Sequence, residues 1–345
     1  EKGVDAFFLL SGLLIGLSFF KNIDNYNMSS MLLFFKKKLI RIYPLFLLAL
    51  GLYTIGQWSY FGKYFFSNLF FINNLIPGER TIIPVGWFLT VEVQYFFLIP
   101  FLFLLLKYIK KRGLLLTALF VSSIAACALV LYKNNDLYIR PITDLFMSQD
   151  RGYFSSQMGH LFYESNFTRY GPFIAGILLA YIKTFYSVIL ANFFKKNLLS
   201  WVVIAIALLF ILTPTMIPIY DPTSWFYRPF SRFQNFWLLT LSRQTFALGI
   251  MLLILGCWYS SGPFKLINKI FSWGFWRFIS RLSFPIYLFH FPFIAVSAIL
   301  VFRTTNIKEI VAINLVQGVA VFLLSVFLTI LFSIPLHIYI EKKII

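Results

Sequence analysis

The chain has 345 residues, 60% of them hydrophobic and 12% charged, with 44 Phe and a mean hydropathy of +0.81. A soluble globule of this size cannot hide that much apolar surface, which excludes a water-soluble domain and leaves a polytopic membrane protein. The net charge of +18 does not call for nucleic acid, because basic residues of membrane proteins gather in cytoplasmic loops and set orientation.

A bilayer core takes about 20 apolar residues at a helical rise of about 1.5 Å each. Nine runs of that kind follow one another, near 5–20, 40–58, 86–106, 114–132, 168–182, 200–219, 236–258, 283–302 and 311–336. The expected fold is therefore all-α, a transmembrane helical bundle forming a single domain over 1–345. The fifth run is short before Lys183, and its helix is expected to continue to about residue 192. "KYFFSNLFFINN" (63–74) reads as an interfacial or re-entrant helix rather than a full span.

The loops alternate in charge. One set carries Lys21, Lys36, Lys37, Lys38 and Arg41, then Lys107, Lys110, Lys111 and Arg112, then Lys183, Lys195 and Lys196. It continues with Lys265, Lys269, Arg277 and Arg281 and ends with Lys342 and Lys343, against only Asp24 and Glu341. The opposite loops hold Asp136, Asp144, Asp150, Glu164 and Asp221. The basic set is assigned to the cytoplasm, which puts the C-terminus inside and residue 1 outside. An odd number of spans and a start without Met lead to the expectation that a first helix, and so a tenth span, is missing from this chain.

Ionisable groups within spans need a partner or a water-filled cavity, so each one is a candidate site. In "EKGVDAFFLLSGLLIG" (1–16), Asp5, Leu9, Gly12 and Gly16 recur at helical spacing. Asp5 reads either as a helix cap or as a carboxylate facing a partner helix, which the Gly12 and Gly16 seam would admit closely. In "KKKLIRIYPLF" (36–46), the lysines are topology signals, whereas Arg41 stands at a span mouth beside Tyr43 and Pro44, in reach of a phosphate or carbonyl. In "VGWFLTVEVQYFFLIP" (85–100), Trp87, Thr90 and Gln94 share one helical face and Phe88, Glu92 and Tyr95 another. A helix polar on two sides is surrounded by protein or borders a cavity. In "ESNFTRYGPFIAGILLAY" (164–181), Arg169 enters a span near its outer edge, where it can snorkel. Arg243 sits deeper, and Glu92 with one of these arginines would make a buried pair. His290, in "RLSFPIYLFHFPF" (281–293), reads as a packing residue or as a base.

Cys127 and Cys257 lie in apolar runs without metal or redox spacing and read as inert thiols. No His, Asp and Cys cluster has metal-ligand spacing, and neither a phosphate loop nor a Ser nucleophile elbow is present.

Taken in order, "GVDAFFLLSGLLI", "KKKLIRIYPLF", "WFLTVEVQYFFLIP", "FTRYGPFIAGILLAY", "LSFPIYLFHFPF" and "IPLHIYIEKKI" resemble the integral-membrane acyltransferase 3 family over nearly the whole chain. The closing segment matches that family's aromatic-x-x-Glu pattern loosely, at Tyr339 and Glu341. The resemblance implies ten helices in the multi-pass cytoplasmic membrane of a bacterium, with the lipid bilayer as surroundings. It implies an acyl-CoA donor, usually acetyl-CoA, reaching the site from the cytoplasm, and an extracytoplasmic carbohydrate or lipid-linked glycan as acceptor. No metal is implied.

Asp5, Glu92 and Arg169 are then the expected catalytic residues, with His290 as a weaker one. Arg41, Lys38 and Tyr43 would bind the donor, and Ser11, Gly12 and Trp87 would be motif positions. The family's first helix carries an Arg and a His, the latter proposed as catalytic, and neither is in this chain; Asp5 would orient that His. A transporter or flippase of a lipid-linked sugar and a catalytically dead homologue are the competing readings.

Overall fold

The computed structural model describes residues 2–55, 62–76, 81–139, 158–215, 231–259, 261–304 and 314–344. Asp144, Asp150, Asp221 and the side chains of Asp136 and His160 lie outside the described residues. Among the described residues the chain is helical, with no strand. In order come α1 (Lys2–Lys21), α2 (Met28–Thr54), α3 (Phe65–Leu69), α4 (Gly86–Tyr108), α5 (Arg112–Lys133), α6 (Asn166–Phe185) and α7 (Ser187–Phe194). Then follow α8 (Asn197–Thr215), α9 (Arg232–Tyr259), α10 (Phe264–Phe271), α11 (Gly274–Arg281), α12 (Ser283–Phe302) and α13 (Leu315–Leu336).

Each of the nine expected spans coincides with a helix. Seven of them, α1, α4, α5, α8, α9, α12 and α13, are long and apolar enough to cross a bilayer. The other two differ for physical reasons. The second, α2, begins at Met28, well before the expected start at 40, because the lysine run is itself helical. Hydropathy sees only the apolar part of such a helix, whereas Lys is a good helix former. The fifth span continues past Lys183 as expected, but not in line: α7 turns away from the preceding helix by 88°. Past the turn, α7 exposes Val188 and Ile189 and is followed by the exposed Lys195 and Lys196, a composition suited to the membrane surface. Segment 63–74 is no span; it forms the short α3 and a series of turns.

The chain divides into two compact units, residues 1–30 with 97–271 and residues 31–96 with 272–345. In the first unit α6 is central: every residue from 171 to 180 is buried, the mark of a helix enclosed by other helices. Its closest neighbour is α1. A side chain on Gly12 would overlap the Phe173 carbonyl, and one on Gly176 would overlap the Leu9 carbonyl. The absence of Cβ atoms lets the two backbones touch, as small residues do between membrane helices. The glycine seam of α1, expected to receive a helix from outside the chain, is thus filled by α6. Further along α1, Phe19 stacks on Phe103 of α4 with centroids 4.0 Å apart. On the far side of α6, Ser123 of α5 faces Gly171.

In the second unit α12 packs against α13, with Phe332 lying 5.1 Å from Phe289 and 5.2 Å from Phe293 between ring centroids. Asn314 and Gln317 cap the start of α13 reciprocally, each side chain accepting the other's backbone N–H at 2.8 and 3.2 Å. Ser325, Thr329 and Ser333 form a buried stripe on α13, the last two each donating to the carbonyl four residues back. After α13 a widened helical turn brings His337 Nδ1 to 2.7 Å from Glu341 Oε2. Tyr53 of α2 donates to the Leu288 carbonyl at 3.1 Å, Tyr287 donates to that of Val85, and Phe88 packs on Tyr287.

Candidate functional site

In the first unit, two arginines and a carboxylate are brought together from three helices. Asp5 stands in the first turn of α1, Arg169 in the first turn of α6, and Arg243 within α9. Asp5 and Arg169 are completely buried, and Arg243 is 1% exposed. Arg169 Nη1 donates to Asp5 Oδ1 at 2.8 Å, a buried charge-assisted bond. Arg169 therefore does not snorkel, and Asp5, 164 positions away, is the carboxylate beside it.

The turn just before α6 supports both cations. Tyr163 accepts from Arg169 Nε through its carbonyl at 2.7 Å and presents its ring 4.7 Å from the guanidinium carbon. Phe162 presents its ring to Arg243, 4.2 Å from the guanidinium carbon. The Phe162 carbonyl accepts from Thr168 Oγ1 at 2.5 Å, and the Thr168 carbonyl accepts from Arg243 Nη1 at 3.2 Å. Around this core, Gln244 donates to Ser123 Oγ at 3.3 Å and to Cys127 Sγ at 3.6 Å, while Cys127 donates to the Thr168 carbonyl. Cys127 is thus a hydrogen-bonded structural thiol, as its apolar setting suggested.

Buried polar atoms of this cluster are left over, Asp5 Oδ2 and Gln244 Oε1 among them. No group among the described residues donates to Asp5 Oδ2, although that atom is buried. An unmet carboxylate oxygen in such a place costs several kcal/mol by general estimate unless a donor reaches it. The capping reading of Asp5 gives way to the partner-facing one: its Oδ1 is committed to Arg169.

In the second unit, the start of α4 is enclosed almost completely, as a helix polar on two sides requires. Thr90 donates to Asn73 Oδ1 at 2.9 Å, and Gln94 donates to the Phe71 carbonyl at 2.6 Å and to Asn74 Oδ1 at 2.8 Å. Asn73 in turn donates to Thr81, and Asn68 accepts from the Ile82 backbone at 3.0 Å and donates to the Tyr64 carbonyl. Thr90 and Gln94 of this face thus anchor segment 65–76. The asparagines that complete it were missed in the sequence, although "FFINN" put two of them side by side in an apolar run.

Glu92 is half-buried, and Lys38 lies within electrostatic reach of it and of Arg41. The Lys38 ammonium sits over the Phe96 ring at 4.4 Å and the Phe34 ring at 5.7 Å. Arg41 is exposed. Tyr43 has its hydroxyl on the Leu69 carbonyl at 3.2 Å and its ring against Phe71, so it holds segment 65–76 in place. His290 is half-buried with Nδ1 at 2.8 Å from the Tyr287 carbonyl of its own helix. Donation from Nδ1 leaves the lone pair on Nε2. Ser11 is half-buried and Trp87 buried. No group of three or more His, Cys, Asp or Glu side chains able to hold a metal occurs among the described residues.

A protein-family model described as an acyltransferase domain matches residues 3–338. The chain belongs to the acyltransferase 3 family. Its helices make this member a multi-pass membrane protein. It is similar to Nose resistant to fluoxetine protein 6 of Caenorhabditis elegans, with 23% identity over 320 residues. That alignment covers 83% of this chain and 38% of the worm protein, so the chain spans well under half of that relative. No solved structure matches the chain.

Proposed function

We propose that the chain is the membrane-embedded part of an acyltransferase. It would move an acyl group, acetyl in the commonest case, from a cytoplasmic acyl-CoA to a hydroxyl of an extracytoplasmic carbohydrate. The observation that carries the reading is Asp5, completely buried, bound to Arg169 through Oδ1 and open to a further donor at Oδ2.

In the reaction, the sugar oxygen attacks the thioester carbonyl, the new C–O bond forms, and the C–S bond breaks. The hydroxyl proton passes to a general base, an imidazole in the family's usual arrangement, and then to the departing thiolate of CoA. Asp5 Oδ2 accepts the imidazole N–H, orients the ring and stabilises its cation, while Arg169 fixes the carboxylate from the other side. Lys38 and Arg41, on the basic side of α2, attract the phosphates of the donor. Asp5 lies some 16 residues from Lys21 along α1, about 24 Å of helix, a length that supports an acceptor side at Asp5 and a donor side at the basic end of this helix. Donor and acceptor then enter from opposite sides.

The test is to supply radiolabelled acetyl-CoA to the outside of inverted membrane vesicles containing the protein as its gene encodes it. Label is expected in glycan or lipid-linked glycan within the vesicles. Glycan that crosses the membrane without gaining label would overturn the reading in favour of a transporter.

A further inference from the structure

Two short helices of the first unit, α7 and α10, are joined through buried aromatic rings. α7 leaves α6 at 88° and ends at Phe194, whose ring stacks on Tyr259 of α9 at 5.4 Å and meets Phe264 of α10 at 6.0 Å between centroids. Phe194 is 3% exposed and Phe264 is completely buried, its ring occupying the space that a side chain on Gly256 would need. Polar contacts close the joint. Tyr259 donates to the Ser187 carbonyl of α7 at 3.1 Å, and the hydroxyls of Ser261, before α10, and Ser200 of α8 share a hydrogen bond of 2.5 Å. The ammonium of Lys183, near the end of α6, lies 4.5 Å from the centroid of the Tyr259 ring.

What this joint shows to its surroundings is of two kinds. Lys195 and Lys196 directly follow Phe194, and Lys265 directly follows Phe264; all three are exposed. Rings 6.0 Å apart thus fix where three cations emerge. Lys195 also donates to Asn192 Oδ1 at 3.1 Å, a neutral partner that leaves its charge uncompensated. Beside the cations, Val188 and Ile189 of α7 and Leu266 of α10 are exposed apolar residues. The sequence has no Asp or Glu from 165 to 220 or from 222 to 271, so the complement of this surface is an anion. The neighbouring apolar side chains favour an anion that carries acyl chains over a soluble one, which is the chemistry of the boundary between headgroups and lipid tails.

We infer that the joint of α7 and α10 is a binding site for an anionic phospholipid. Lys195, Lys196 and Lys265 take the headgroup phosphate, and Val188, Ile189 and Leu266 lie against the acyl chains. The site is independent of the acyl-transfer proposal, since none of these residues has a part in that reaction.

The test is native mass spectrometry of the purified full-length protein titrated with dioleoyl phosphatidylglycerol or dioleoyl phosphatidylcholine. Each cation near a charged surface contributes about a fivefold preference, so the unaltered protein is expected to retain the anionic lipid at least about tenfold better. The triple variant Lys195→Gln, Lys196→Gln, Lys265→Gln changes only exposed side chains, should fold normally, and should bring the two lipids within about twofold of each other. Replacing the same three lysines by arginine should keep the preference. Lys110→Gln with Lys111→Gln removes two exposed cations of the same unit away from the joint and should leave the preference intact. An unaltered protein without preference, or a triple glutamine variant that keeps it, would overturn the inference. Equal loss in the Lys110 and Lys111 variant would reduce the effect to general basicity and overturn it too. Displacement of the lipid by millimolar inorganic phosphate or by free CoA would assign the cations to a soluble anion instead, with the same consequence.

Discussion

Arg169→Met is expected to destabilise the protein by about 3–5 kcal/mol, since it leaves the fully buried Asp5 carboxylate without its cation. Asp5→Leu alone should have a similar cost, because the guanidinium then keeps only the Tyr163 carbonyl and ring among the contacts described above. The double variant should recover much of the loss, as apolar replacements of buried ion pairs commonly do. Unfolding of the three variants in mild detergent closes the double-mutant cycle. A coupling near zero would mean that the two charges do not depend on one another.

The second large effect concerns the seam between α1 and α6. Gly176→Ala places a methyl group where the Leu9 carbonyl oxygen stands, with the Leu13 amide nitrogen 2.7 Å from it. Both obstacles are backbone, so no rotamer change relieves the overlap and the helices must part. Destabilisation of about 3 kcal/mol or more is expected, at the upper end of overpacking costs. Gly51→Ala is the contrast: it lies within α2 with nothing within 4 Å of an added Cβ. There the helix should gain about 0.5–1 kcal/mol from the lost flexibility of glycine. Thermal midpoints of the two variants should move in opposite directions, and a neutral Gly176→Ala would contradict the close crossing.

These two cases show which parts of the molecule are legible in its sequence. The spans are, because a bilayer selects long apolar runs and a run of that length has one conformation open to it. The small residues of α1 were legible as a seam. What would fill it was not, because Gly176 and Phe173 are brought there by the tertiary fold and not by spacing. Charge pairing failed for the same reason. Asp5 and Arg169 each stood out as costly, yet nothing local links positions 164 residues apart, and sequence reading set Glu92 beside an arginine. The aromatic support from Phe162 and Tyr163 was overlooked, since aromatics before a helix look like ordinary packing. The 88° turn between α6 and α7 falls at Tyr186, where neither Gly nor Pro announces it. The polar anchoring of segment 65–76 was half visible: Thr90 and Gln94 marked the face, and the asparagines opposite them went unread.

The central claim is that Asp5 serves acyl transfer as well as folding, and Asp5→Asn tests it most directly. The amide keeps the shape of the side chain and one oxygen for Arg169, but it puts an NH2 donor where the second carboxylate oxygen accepts. Acetyl transfer per folded molecule, measured with radiolabelled acetyl-CoA in the full-length protein, is predicted to fall by at least about a hundredfold. Membrane insertion and the elution profile should be unchanged. Transfer at the unaltered rate by Asp5→Asn would contradict the account and leave the buried pair a structural feature alone.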